Sequence, residues 1–164
     1  MNWVKKVETA LIKVETAILV FLLSLMVVMS FTQVILRQFF SIGILWGDTF
    51  LRHIVLWVGF LGAALATADN KHFAWDTIVD LLEKKTRSKV MLLAHAAAAA
   101  ITTALIHASW MFFLDEKSSG SILFSIGERA VPSWIFFAIV PIGFALVLIH
   151  TLLKAALELS PETK

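Results

Sequence analysis

An all-α integral membrane protein is the fold class this sequence predicts, and three observations carry that prediction. Of its 164 residues, 59% are hydrophobic and 16% charged, with a mean hydropathy of +0.86. A soluble domain of this length has too little interior to hide so much apolar surface. The apolar residues fall into four runs, each long enough for the roughly 20 residues that a membrane-crossing helix needs. Finally, Lys and Arg are shared unequally between the segments that join those runs.

The first run spans about residues 10–40 and is long enough to begin in water or to tilt strongly. The others span about 47–67, 90–114 and 132–153. Pro132 suits the first turn of the fourth helix, where its missing N–H is no loss. Pro141 lies further in and is expected to kink it. The N-terminal apolar run is too long for the core of a signal peptide and no clear cleavage site follows, so it is expected to stay as the first span. "VETALIK" followed by "VETAILV" repeats at seven residues, which marks one helix face rather than a repeat architecture.

Between the second and third runs, Trp75, Ile78, Val79 and Leu82 recur at helical spacing, with Asp76, Asp80, Glu83 and Lys84 opposite. The pattern predicts a short amphipathic helix over about 74–85, lying in the membrane interface, where Trp75 suits the headgroup region. A soluble helical turn between spans has the same geometry. The chain is expected to be one four-helix membrane domain, residues 1–164.

Orientation follows from charge. Lys5, Lys6, Lys13, Lys71, Lys84, Lys85, Arg87, Lys89, Lys154 and Lys164 fall on one side, and only Arg37, Arg52, Lys117 and Arg129 on the other. The positive-inside rule then places both termini in the cytoplasm. The stretch "VILRQFFSIGILWGDTFLRHIVLW" becomes the outer hairpin between the first two spans.

That hairpin holds the densest charge near a span. Asp48 and Arg52 are four apart on one helix, so their side chains can meet. Arg37 closes the preceding helix and can reach the interface by snorkelling. Trp46 and Trp57 bracket the second span. These residues suit simple anchoring at a membrane boundary, and they equally suit docking against another subunit.

Several functions are disfavoured. A net charge of +2, thinly spread, gives no nucleic-acid footprint, and the absence of cysteine removes disulfides, thiolate ligands and thiol nucleophiles. Carriers set acidic or polar groups near the bilayer midplane. Here the acids lie at span ends or in loops, with Glu15, one or two turns into the first span, as the exception. The chain is therefore not expected to be an enzyme or to carry substrate alone. Small residues recur at Ala96, Ala100, Ala104 and Ala108, and at Gly59/Ala63 and Gly62/Ala66, the spacing that lets membrane helices approach closely. They can serve packing within the chain or association with a partner. His53 with His107, and His95 with His150, are expected at matched depths. Such pairs could hold haem through both axial positions, which makes a haem-bearing anchor of a redox enzyme the alternative reading. Otherwise no cofactor and no metal site is expected.

"QVILRQFF", "LWGDTFLR" and "LWVGFLGAALATADNKHFAWD", in that order, resemble the small membrane subunit of TRAP transporters, the DctQ-type family. The resemblance is carried by Arg37, by Trp46 with Asp48 and Arg52, by Trp57 with Gly62, Ala63 and Ala64, and by His72 with Asp76. It is densest over residues 33–82. Where the family commonly has a second acid after the first, this chain has Thr49, so Asp48 is left to pair alone. The resemblance implies a bacterial inner-membrane, tripartite, sodium-coupled importer of organic acids such as sialic acid or C4-dicarboxylates. In it a DctP-type periplasmic binding protein captures substrate and a large DctM-type membrane subunit moves it. The small subunit would brace the large one, with lipid around both, and could help dock the binding protein.

Overall fold

In a computed structural model of the protein, the structure describes residues 2–68 and 84–158. Four long helices carry the four expected spans. The chain runs through α1 (Asn2–Phe40), α2 (Gly47–Ala68), α3 (Lys84–Ser119), strands β1 (Ile122–Ile126) and β2 (Arg129–Pro132), the one-turn α4 (Trp134–Phe137) and α5 (Ile139–Glu158). The expected interfacial helix lies almost wholly outside the described residues, as do His72 and Asp76.

The helices stand in an open row rather than a closed bundle. α1 packs on α2, α2 on α5 and α5 on α3, while α1 meets α5 at only a few positions. Only 6% of the apolar window of α1 is buried by the rest of the chain, against 28% for the last span. Such exposure is unaffordable in water but natural where hydrocarbon or another membrane protein covers the surface. The row is sealed by stripes at helical spacing. On α3 the buried Thr102 and Ser109 alternate with half-buried Ile106, Phe113 and Glu116. On α2, Ile54, Leu61, Ala64 and Ala68 form the buried line. α2 and α5 approach closely because Gly143 has no side chain: a Cβ there would stand 2.4 Å from Cδ1 of Phe60.

The connection between the third and fourth spans departs from expectation. Pro132, expected to open the fourth helix, instead ends β2, paired with Ile122 across an antiparallel hairpin. Gly127, at φ 60°, begins the two-residue turn of that hairpin, where the backbone must enter the left-handed region that glycine tolerates best. Helix resumes at Trp134 and breaks at Ala138, three residues before Pro141. Proline lacks the N–H that would close a bond to the carbonyl four residues back, and its ring crowds that turn. The Phe136 carbonyl at this break accepts a hydrogen bond from Trp57 Nε1 at 2.9 Å.

Candidate subunit-contact surfaces and the buried pair

The hairpin between α1 and α2 is built from two helix ends. α1 stops at Ser41, whose φ of 53° turns the chain left-handed, and the Ile42 N–H reaches back to the Leu36 carbonyl at 3.3 Å. This wrap satisfies one of the carbonyls that every helix C-terminus leaves open. Arg37 lies in the last turn of α1 and Asp48 in the first turn of α2, each on the side its helix dipole favours.

The spacing led us to expect Asp48 against Arg52. The structure instead joins Asp48 Oδ2 to Arg37 Nη2 at 2.6 Å. A helical side chain leans toward its own N-terminus, so Asp48 projects off the end of α2 to where α1 finishes. Arg37 also donates to Gln33 Oε1 at 3.2 Å. Gln33 is buried against Gly47, where even a Cβ would collide with its amide. Arg52 is exposed one turn along α2. The Arg37–Asp48 pair is itself exposed, with side chains 57% and 51% accessible. Removing either partner is therefore expected to change stability by only about 0–1 kcal/mol. Thermal unfolding of Arg37→Ala and Asp48→Ala in detergent checks this, and a loss of several kcal/mol would refute it.

Above α2 and α5 the hairpin strands complete an aromatic cap. Trp46 stacks on Phe124 with centroids 5.7 Å apart, and Phe50 meets Phe124 and Phe136 edge-on. His53 stands edge-on to Phe136 and Phe137 and donates from Nδ1 to the Thr49 carbonyl at 2.7 Å. Buried Ser133 bonds to Glu116 and to the Ser121 carbonyl, which ties the end of α3 to the start of α4. Trp46 and Trp57 thus make contacts inside the chain. Gly62 lies near Leu19 of α1, its would-be Cβ 3.9 Å away. By contrast Ala96, Ala100, Ala104 and Ala108 are all exposed, so the alanine row is not used to pack α3 on α5.

At the opposite end of the helices the structure holds a pair that sequence reasoning missed. His150 Nε2 lies 3.0 and 3.2 Å from the two carboxylate oxygens of Glu15. His150 is 0% and Glu15 3% exposed, and Lys154 is buried one turn further along α5. Carboxylates and imidazoles rarely enter such surroundings without each other. Sequence reasoning had matched His150 with His95, whose side chain lies outside the described residues. The usable signal was that an acid inside a span needs a partner, and a histidine at similar depth was available. Among the described residues, no cluster of three or more His, Asp or Glu is placed to hold a metal ion.

The chain thus presents four candidate spans, a charged hairpin closed by Arg37 and Asp48, and open helix faces. Residues 26–160 match the family model described as "Tripartite ATP-independent periplasmic transporters, DctQ component". The chain belongs to the DctQ family. Two relatives agree with this. The C4-dicarboxylate TRAP transporter small permease protein DctQ of Vibrio cholerae is 24% identical over 165 residues, covering 89% of this chain and 71% of that protein. A putative TRAP transporter small permease protein of Haemophilus influenzae is 28% identical over 92 residues, covering 56% of this chain and 57% of that protein. This DctQ-family chain is thus a multi-pass membrane protein of a transporter family rather than of a catalytic one.

Proposed function

We propose that the chain is the non-catalytic scaffold of a sodium-coupled importer of organic acids, bracing a large membrane subunit fed by a periplasmic binding protein. The open row is the observation that carries this reading. Its helix faces are finished for a membrane, with small residues outward on α3 and at Gly59 and Ala63 of α2, the kind of surface on which another helix packs closely. Among the buried polar groups, Glu15, Gln33 and His150 each meet a neighbour inside the chain. They support architecture rather than a substrate path. A C4-dicarboxylate or a sialic acid is the substrate class, the first being in the name of the Vibrio cholerae relative. The outer hairpin, with exposed Arg52, is the part best placed to meet the partner proteins.

Liposomes test the reading. Those holding only this chain are expected to show no sodium-dependent uptake of a C4-dicarboxylate or sialic acid. Adding the large subunit and the binding protein should establish uptake. Uptake by the chain alone, or full uptake without it, would refute the proposal.

Both termini lie in the cytoplasm in this reading, supported by the ten-to-four split of basic residues. The chain has no cysteine, so single cysteines report cleanly. In intact cells an impermeant thiol reagent is expected to label Ser125→Cys, exposed on the outer hairpin strand β1, and to spare Ser88→Cys. The reverse pattern overturns the topology.

A further inference from the structure

We propose that Glu15 and His150 form a clasp, and that α1 is an arm hinged on α2 at its outer end and held by this clasp at its inner end. The observations are independent of the transport reading. At the outer end α1 cannot leave α2, because only six residues, 41–46, separate the two helices and Gln33 is seated on Gly47. Toward the inner end the two helices part. Ile12 and Thr16 of α1 and Leu65, Ala66 and Ala68 of α2 line a cleft between them.

Beyond the approach of Leu19 to Gly62, what holds the inner part of α1 is therefore its reach to α5. α1 meets that helix at few positions, and the buried Glu15–His150 contact is the polar one described between them. The inner half of α2, from Leu61 to Ala68, brings no ionisable group to this place. Lys154 and Thr151 on α5 complete the polar surroundings, and Thr151 is bonded to the Val147 carbonyl of its own helix. Both carboxylate oxygens converge on one ring nitrogen, while His150 Nδ1 is buried without a hydrogen-bond partner among the described residues. The ring is thus held from one side only, by α1, and losing Glu15 removes its only described hydrogen-bond partner.

Spin-label distances on the full chain in lipid nanodiscs test this. One pair, Ile18→Cys with Ile149→Cys, reports the inner end. The other, Val34→Cys with Val55→Cys, reports the hinge; all four positions are exposed. Both distributions should be narrow in the otherwise unaltered chain. Glu15→Ala and His150→Ala should each broaden and lengthen the inner distance and leave the hinge distance alone. The double variant should be no broader than either single one, because the two residues share one interaction. The exchange Glu15→His with His150→Glu should narrow the inner distance again. A narrow inner distance in both single variants overturns the clasp, and broadening of both pairs together overturns the hinge.

Discussion

His150→Ala is expected to lower stability by about 3–5 kcal/mol, the cost typical of breaking a buried pair from one side. The loss arises because Glu15, 3% exposed, is left facing a cavity in place of its N–H donor. Glu15→Ala should cost less, about 1–3 kcal/mol, the range for leaving one buried ring nitrogen without its hydrogen-bond partner. The double variant should fall short of the sum. Unfolding in mixed detergent micelles, followed by fluorescence of the six tryptophans, measures all three. If His150→Ala unfolds with the parent chain, the pair is not the buried tie described above.

Gly143→Ala is expected to destabilise by about 1–3 kcal/mol, an unusually large penalty for one added methyl group. The new Cβ would lie 2.4 Å from Phe60 Cδ1 and 2.7 Å from both Phe60 Cβ and Cγ. Cβ is fixed to the backbone of α2, so the ring cannot simply swing aside and the two helices must separate. Phe60 also packs edge-on against Phe144 with centroids 5.2 Å apart, which restricts its rotamer further. Phe60→Ala alone loses that contact. Combined with Gly143→Ala it should be less harmful than the two single effects added, because the collision disappears. Additive losses in the same unfolding measurement would show that α2 and α5 do not meet as closely as drawn.

The four spans were legible because a bilayer imposes length and composition on each helix separately, and both are local properties. The hairpin of β1 and β2 was not. "ILFSI" and "RAVP" are five and four residues long, too short for alternation to stand out from a loop. The glycine–glutamate turn between them and the alternation of Ile122, Phe124 and Ile126 were the cues, and they gain weight only when Phe124 is seen beneath Trp46. Pairing of charges divided the same way. Helical spacing makes Asp48 and Arg52 neighbours, yet the chain reversal brings Arg37 nearer in the direction Asp48 points. Glu15 and His150 are 135 residues apart, so their meeting depends on the order of helices in the row, which no local pattern encodes. The alanine row on α3 was visible in the sequence, but that it faces outward was not.

The length of α1 carries one more consequence. Its apolar segment, Lys6–Phe40, has 35 residues, whereas the other three have 22 to 24. At about 1.5 Å per residue it measures roughly 52 Å, and the others about 33–36 Å. The shorter helices fit upright within the roughly 40–45 Å of a bilayer with its headgroups. Held wholly within those roughly 40–45 Å, α1 leans by about 35°; standing upright, it puts its first turns in water. A helix takes up such mismatch by changing its angle, at a modest cost per ångström. A thicker bilayer therefore draws α1 upright and leaves the other three almost unmoved, so that membrane thickness acts on one helix of the four.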